Sequence, residues 1–144
     1  MKKYKTGYTS GVFDLFHIGH LNLLKRAKDE CEHLIVAVST DELVLEYKHK
    51  KPVIPFSERK AIVEAVRYVD EVVVQENRDK IAAFEKYKFD VMFHGSDRKD
   101  DNVFIEAEKH LLKHGSCVKY LPYTKNTSSS KLIQIIEILL AEQD

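Results

Sequence analysis

Apolar residues recur along this chain in two alternating patterns, short runs typical of strands and stripes at helical spacing. Residues 33–39 form a nearly continuous apolar run, which favours a strand covered on both faces. Residues 18–32 repeat their apolar positions at the spacing of an amphipathic helix. The predicted strands are residues 5–12, 33–39, 71–74, 90–94 and 116–121, and the predicted helices are residues 18–32, 56–68, 79–88, 103–114 and 128–140.

This alternation of strand and helix predicts the fold class. Helices that connect successive strands favour a parallel sheet with helices on both faces. We therefore predict one α/β domain over residues 1–144, built on a Rossmann-like, parallel five-stranded sheet. Ligands bind beyond the carboxyl ends of the strands in such a sheet, so the loops after strands one, two, four and five are the expected site.

Three of the predicted helices carry specific expectations about their ends or their buried faces. Ser57 is the expected N-cap of helix 56–68. The residues expected to face inward are Ile62, Ala65 and Val66 in that helix, and Leu132, Ile135, Ile136 and Leu139 in helix 128–140. Gly115 is expected to end the helix before it.

The balance of charges limits which kinds of partner the chain is expected to bind. Lysine plus arginine and aspartate plus glutamate both number 23, so the formal net charge is +0. Proteins that bind nucleic acid usually carry a basic excess, so we expect no nucleic-acid partner. Cys31 and Cys117 lack the spacing of a metal or redox motif. Without a signal peptide or a run of ~20 apolar residues, we expect a cytoplasmic protein with no membrane partner.

The most informative segment follows the first predicted strand and reads GVFDLFHIGH over residues 11–20. Gly11 lets a ligand approach the strand end closely, because it has no side chain. His17 and His20 are three residues apart, so at a helix start both rings project to the same side. The N–H groups and dipole of that first turn favour an anion. The segment therefore predicts a phosphate site whose donors stabilise charge on a reacting phosphoryl group.

A histidine pair at this spacing also has other interpretations. His17 could cap the helix while His20 is a core histidine with satisfied hydrogen bonds. A zinc site is a further alternative, although no third ligand follows at a suitable spacing.

Three further polar groups lie at the ligand end of the predicted sheet. The cationic stretch at residues 48–51 is, taken alone, typical of a solvated loop. Gly95 and Asp97 follow the fourth strand, where Asp97 could equally cap a short helix. The last helix begins among hydroxyl groups, and N-capping explains one of these serines better than it explains three.

The motifs together resemble the cytidylyltransferase branch of the nucleotidyltransferase superfamily, whose signature is HxGH. Three more segments follow that family's order and spacing, namely LLKRAK at 23–28, VAVSTDE at 36–42 and RYVDEV at 67–72. The resemblance covers nearly the whole chain and is strongest to the bacterial glycerol-3-phosphate cytidylyltransferases. It implies transfer of CMP from CTP to a small phosphorylated alcohol, with release of pyrophosphate and with Mg²⁺ present. The expected acceptor is glycerol 3-phosphate, and the product a CDP-activated precursor for surface polymers such as teichoic acid or capsule.

The resemblance also implies roles for individual residues. The catalytic residues would be His17 and His20, which hold the triphosphate, with Lys48 and Arg59. The acceptor would be bound by Lys50, Arg59 and Arg67, although Arg67 could instead pair with Asp70 or Glu71. The nucleotide-binding residues would be Gly11, Val12, Phe13, Asp14, His17, His20, Gly95, Asp97, Thr124, Ser128, Ser129 and Ser130. Asp14 would also lie near the metal.

The chain departs from the family's second signature near residue 123. Tyr123, Lys125 and Asn126 stand where that signature has arginine, glutamate and glycine. Because family members usually pair, we expect a homodimer. Two alternatives stay open, an adenylyltransferase of the same superfamily (FAD-synthetase-like or pantetheine-phosphate-type) and a non-catalytic nucleotide-binding module.

Overall fold

The computed structural model describes residues 2–98, 101–122, 124 and 127–143, and within them a single five-stranded parallel sheet carries the fold. The helices and strands in chain order are β1 (Tyr4–Gly11), α1 (Ile18–Glu30), β2 (Cys31–Ser39), α2 (Asp41–Lys48), α3 (Phe56–Glu64), β3 (Glu71–Gln75), α4 (Lys80–Tyr87), β4 (Val91–Gly95), α5 (Asn102–Lys113), β5 (Cys117–Leu121) and α6 (Ser129–Glu142). A 3-10 turn, Ser96–Arg98, follows β4. The predicted α/β class is confirmed.

Both faces of the sheet are covered, and the apolar run of β2 shows why. Side chains alternate along a strand, so Val36 and Val38 face one layer while Ile35 and Ala37 face the other. The first layer contains α1 and α3, and the second contains α4 and α5. Because the strand is buried on both faces, its sequence is apolar throughout.

The strand order is β3-β2-β1-β4-β5. The chain moves from β1 outward through β2 to β3 and then returns to place β4 beside β1. The order therefore reverses between β1 and β4. The loops that leave the carboxyl ends of these two strands diverge, which opens a crevice suited to a ligand.

Helix α2 was not predicted from the sequence. It spans only eight residues, too few for an apolar stripe to repeat convincingly. The Thr40 hydroxyl caps its start by accepting a 3.1 Å hydrogen bond from the Leu43 N–H. His49 ends it in a left-handed conformation, with φ of 60°. Lys48 is consequently the last residue of a helix, where its charge complements the helix dipole.

Helix α3 differs from its prediction in its cap, its length and its buried face. Pro55 is the N-cap, so the expectation for Ser57 was wrong. The helix ends at Glu64, which leaves Ala65 as its exposed C-cap. Ile62 is 45% exposed, and the buried face is formed by Arg59 and Val63, one turn apart. Val66 is half-buried against the core.

The expected buried stripe of α6 was also wrong. None of the described residues of this helix is buried, and Ile135 and Leu139 are 45% and 55% exposed. Leu132 and Ile136 are half-buried. Helix α5 ends at Lys113, and Gly115 follows its C-cap His114 with φ of 80°, the role expected for this glycine. None of the helices in the described part of the chain is long and apolar enough to cross a membrane.

Candidate active site

A cavity of about 1040 Å³ opens at the carboxyl ends of the strands, beside the point where strand order reverses. Its walls come from the loop after β1, the end of α2, the loops after β3 and β4, and one face of α6. The predicted site residues that line it are Gly11, Val12, Phe13, Asp14, His17, His20, Lys48, Lys50, Gly95, Asp97, Thr124, Ser128, Ser129 and Ser130. The structure thus brings together residues up to 119 positions apart, from Gly11 to Ser130.

The two histidines are held by a reciprocal cap at the start of α1. The Gly19 N–H donates to Nδ1 of His17 at 3.0 Å, and the His17 N–H donates to Nδ1 of His20 at 3.1 Å. An Nδ1 that accepts a hydrogen bond carries no proton, so each neutral ring has its proton on Nε2. The rings lie 4.0 Å apart between centroids, and both line the cavity. They can therefore offer two N–H donors to an anion.

Burial keeps these rings neutral. It lowers the pKa of His17 from its ordinary value. It also lowers the pKa of His20 to about 3, with a smaller contribution from the neighbouring His17. Desolvation favours the uncharged imidazole. The pair thus acts as hydrogen-bond donors at neutral pH, while the helix start supplies positive potential.

The loop between β1 and α1 has an unusual backbone. Phe13 and Leu15 have φ of 55° and 49°, values that bulky residues rarely adopt. Phe13 is buried and stacks against Phe16 at 6.4 Å between ring centroids. Ser129 adds a second restraint, because its hydroxyl donates to the Asp14 carbonyl at 2.5 Å. These contacts hold the loop in a conformation that places Asp14 inward.

Asp14 serves as a structural anchor. Its carboxylate is 3% exposed and accepts hydrogen bonds from the N–H groups of Val53 and Ile54 at 2.7 and 2.9 Å. Both carboxylate oxygens therefore hold the loop before α3. Among the described residues, no group of three His, Cys, Asp or Glu side chains could hold a metal ion. The site does not fit a resident metal held by protein ligands alone.

Arg59 does not reach the cavity, contrary to the expectation that it binds substrate. Its side chain is buried and donates to three backbone carbonyls and one carboxylate. The acceptors are the carbonyls of Ile54, Val12 and Ser39 and the carboxylate of Asp41, at 2.8, 2.7, 2.9 and 2.7 Å respectively. Because its N–H groups are engaged in this way, Arg59 holds together the segments around the cavity and does not face a ligand.

Arg67 lies at the opposite end of the sheet from the cavity, because it precedes β3. Its guanidinium donates to the Tyr68 hydroxyl at 3.1 Å. The acidic residues considered as its partners are engaged elsewhere, Asp70 with Lys28 and Glu71 with His33. The structure therefore places Arg67 away from the cavity in which the acceptor was expected to bind.

The cationic segment after α2 does reach the cavity. Lys48 and Lys50 both line it and are exposed. Lys50 forms an ion pair with Glu137, which joins this segment to α6. Lys48 lies with its ammonium 5.7 Å from the centroid of the Tyr47 ring.

Polar groups also line the cavity after β4 and at the start of α6. Gly95 permits the chain to turn sharply after β4, because a Cβ there would lie 2.5 Å from the Asp97 carboxylate. The Ser128 hydroxyl caps α6 by accepting a 3.1 Å hydrogen bond from the Lys131 N–H. Thr124 accepts a 3.3 Å hydrogen bond from the Asn22 side chain. A second helix start thus faces the same space as the start of α1 and adds to the positive potential for phosphate.

Two cations of the cavity were missed in the sequence, because the loop after β3 was not among the expected sites. Lys80 is only 5% exposed, and its ammonium donates to the Ser10 hydroxyl at 2.6 Å. Arg78 lies two residues earlier and also lines the cavity. A lysine directly after the Asp79 cap, just beyond a strand's carboxyl end, was the available signal. Tyr123, Lys125 and Asn126 lie outside the described residues.

Comparison with known proteins agrees with this geometry. The chain matches the cytidylyltransferase-like family model over residues 8–135. It is 40% identical to the glycerol-3-phosphate cytidylyltransferase of Bacillus subtilis, across 86% of this chain and 91% of that protein. It is 34% identical to the FAD synthase of Pyrococcus abyssi, across 88% and 86%. A solved structure, the lipopolysaccharide core biosynthesis protein of Thermoplasma volcanium, superposes with a TM-score of 0.70 at 27% identity, across 86% and 99%.

The protein is an enzyme of the nucleotidyltransferase class. Its parallel sheet, with the strand order reversing beside a histidine-capped helix start, fits that class. Within that class, the chain belongs to the cytidylyltransferase-like family. The resemblance seen in its motifs is thereby confirmed.

Proposed function

We propose that this enzyme transfers CMP from CTP to glycerol 3-phosphate and releases pyrophosphate. The observation that carries the proposal is the pair of neutral imidazoles at the start of α1, both fixed through Nδ1 and both lining a cavity with cations on its other wall. The 40% identity to a glycerol-3-phosphate cytidylyltransferase supports this choice of substrates. The product would be a CDP-activated precursor for a surface polymer.

The reaction is an in-line displacement at the α-phosphorus of CTP. An oxygen of the acceptor phosphate forms the new bond, the bond from the α-phosphorus to the bridging oxygen breaks, and pyrophosphate leaves with that electron pair. A phosphate monoester has its second pKa near ~6, so it attacks as an anion without a general base. Catalysis then rests on positioning and on stabilising charge. His17 and His20 donate hydrogen bonds to oxygens on which negative charge develops.

The acceptor phosphate is assigned to the cavity wall opposite His17 and His20. Lys80 is suited to it because its buried ammonium lies beside Ser10, at the end of β1. Lys48 approaches the same space from the end of α2. A phosphate held there would lie across the crevice from the triphosphate bound at the histidines.

We also propose that Mg²⁺ enters with CTP. Mg²⁺ often binds through substrate phosphates with few protein ligands. Asp14 need not hold the ion in this proposal, because its carboxylate already accepts hydrogen bonds from the N–H groups of Val53 and Ile54. The ion would neutralise phosphate charge.

The family's tendency to pair leads us to propose a homodimer through α6. Ile135 and Ile138 lie on the side of α6 opposite Ile133 and Leu140, which line the cavity. An antiparallel contact about a two-fold axis would place Ile135 against Ile138 of the second copy. The same register would bring Lys131 and Glu142 of the two copies together, so opposite charges would face each other across the contact.

A pyrophosphate-release screen tests the proposed reaction. The purified protein is incubated with Mg²⁺ and each of CTP, ATP, GTP and UTP, crossed with glycerol 3-phosphate, other phosphorylated alcohols, FMN and phosphopantetheine. We expect release with CTP plus glycerol 3-phosphate and at most about 1% of that rate in the other nucleotide columns. Release with ATP and FMN would instead establish the adenylyltransferase alternative, which the similarity to an FAD synthase favours. Nucleotide binding without release would establish the non-catalytic module.

A further inference from the structure

We propose that the acceptor end of the cavity rejects phospho-alcohols with a cationic head group, and that Arg78 is the residue that imposes this selection. The inference rests on the proposed cytidylyl transfer and specifies the class of acceptor. Neutral polyol phosphates and acceptors with a second anionic group would be used, whereas amino-alcohol phosphates would be poor substrates.

Arg78 is held at the cavity wall by contacts on two sides. Its guanidinium carbon lies 4.6 Å from the centroid of the Tyr47 ring, so the ring supports it by a cation–π contact. A terminal nitrogen lies 3.6 Å from the Asp101 carboxylate. The side chain is 33% exposed and lines the cavity, so it is accessible to a ligand.

The position of Arg78 associates it with the acceptor. The histidines and the hydroxyls of Ser128 and Ser129 form the wall assigned to the triphosphate. Arg78 follows β3, the edge strand on the other side of β1, and faces α2 through Tyr47. Lys80, which is bonded to Ser10 and assigned to the acceptor phosphate, lines the cavity together with Tyr47 and Arg78. An acceptor whose phosphate contacts Lys80 therefore extends its alcohol portion toward Tyr47 and Arg78.

The aromatic rings at this end explain why a cation would be disfavoured. Tyr47 and Phe104 line the cavity, and such rings are the usual binding surface for a quaternary ammonium group. Both already face protein cations. Arg78 and Lys48 lie 4.6 and 5.7 Å from the Tyr47 centroid, and the Lys80 ammonium lies 5.5 Å from the Phe104 centroid.

The charge of Arg78 is only partly offset by Asp101. One oxygen of that carboxylate accepts a 2.9 Å hydrogen bond from the Val103 N–H at the start of α5, while the other faces Arg78. Two like charges about 6 Å apart at an effective dielectric constant of ~20 repel enough to lower affinity about 100-fold. With Asp101 offsetting part of this repulsion, we expect a discrimination of at least about tenfold to depend on Arg78.

Steady-state kinetics on matched acceptors tests the proposal. Pyrophosphate release is measured at saturating CTP with glycerol 3-phosphate, phosphoethanolamine and phosphocholine, for the wild type, Arg78→Gln, Arg78→Lys and Asp101→Asn. The control is Arg67→Gln, which removes an exposed arginine at the other end of the sheet. In Arg78→Gln we expect kcat/KM for phosphocholine to rise about tenfold relative to glycerol 3-phosphate, with KM for CTP within about twofold of wild type. Arg78→Lys keeps the wild-type ratio, and Asp101→Asn strengthens the preference for glycerol 3-phosphate.

Three outcomes would overturn the assignment. They are an unchanged acceptor ratio in Arg78→Gln, a rise in KM for CTP without a change in that ratio, and a relaxed preference in Asp101→Asn. If Arg78→Gln does not fold, the unchanged acceptor ratio expected for Arg78→Lys and the strengthened preference for glycerol 3-phosphate expected for Asp101→Asn decide the matter. A wild type that releases pyrophosphate with none of the acceptors contradicts the proposed function. Calorimetric titration of the same acceptors into the CTP-bound variants then tests Arg78 separately, by the same ratio of affinities.

Discussion

His17 and His20 combine a structural and a chemical role within each ring. Nδ1 of both rings accepts a backbone hydrogen bond that shapes the first turn of α1, while the rest of each ring lines the cavity. Capping and ligand binding are therefore compatible at these positions. Because the backbone contacts determine which nitrogen carries the proton, the cap also prepares the donors for phosphate.

A His17→Asn substitution separates the two roles. Asparagine is a good N-cap, so it can still accept the Gly19 N–H, but it lacks the Nε2 donor. We expect kcat to fall about 100-fold or more, since removal of one transition-state donor has effects of that size. The free energy of unfolding should change by less than about 1 kcal/mol. Pyrophosphate release and urea unfolding measure the two quantities, with His33→Asn on the distant Glu71 pair as a control. Near-normal turnover in His17→Asn would refute the mechanism.

The low pKa of His20 makes stability depend on pH in a defined direction. Its pKa is lowered from 6.5 to about 3 in the folded protein, so the unfolded chain takes up the proton first as pH falls. The stability linked to this histidine is present above its unfolded pKa and is lost as pH falls below it. Between about pH 7 and about pH 5 the loss should be about 2 kcal/mol. Urea unfolding at both pH values measures this loss. The free energy of unfolding of His20→Asn should fall by about 2 kcal/mol less between these pH values than that of the wild type. An equal difference in both proteins would contradict the expectation.

Arg59 connects several elements around the site at once. Its side chain bonds Val12 after β1, Ser39 at the end of β2, Asp41 in α2 and Ile54 before α3. The loops that form the cavity floor therefore share one buried guanidinium. Its planar fork of donors suits four acceptors in different directions, which a lysine could not match.

Replacement of Arg59 by glutamine should destabilise the fold strongly. The change leaves three carbonyls without the buried guanidinium that they bond and removes the cation beside Asp41. The loss of a buried, fully bonded charge of this kind costs about 3–5 kcal/mol. Arg67→Gln removes an exposed arginine and should change stability by less than about 0.5 kcal/mol. Chemical denaturation of both variants checks the contrast. Full stability together with a raised KM for the acceptor in Arg59→Gln would show instead that Arg59 binds substrate.

At the scale of the whole molecule, α6 is apolar on two sides and buried on neither. One side, with Ile133 and Ile136, lines the cavity, while Ile138 on the other side is 59% exposed. Each apolar side of a helix normally packs against a partner. The cavity's ligands cover one side of α6 in our proposal, and a second copy of the chain covers the other.

An Ile138→Glu substitution tests the second partner. Sedimentation equilibrium of the wild type should give twice the chain mass of 16.7 kDa, and the variant should give a single chain mass. Leu112→Glu is a matched control, because Leu112 is 62% exposed on α5 and lies outside the proposed contact. Dissociation by Leu112→Glu with retention of the dimer in Ile138→Glu would place the interface on α5.

The sequence by itself determined the alternation of strands and helices, the parallel sheet and the phosphate motif at residues 11–20. These follow from local periodicity and from residues that are neighbours in the chain. Only the tertiary structure decided that Arg59 is buried behind the site and that Arg67 lies at the far end of the sheet. It likewise decided that Arg78 and Lys80 join the cavity, and that α6 presents apolar residues on both sides. The direction of each of these side chains depends on how the strand ends converge and how the helices cross the sheet, which is information that no short segment contains.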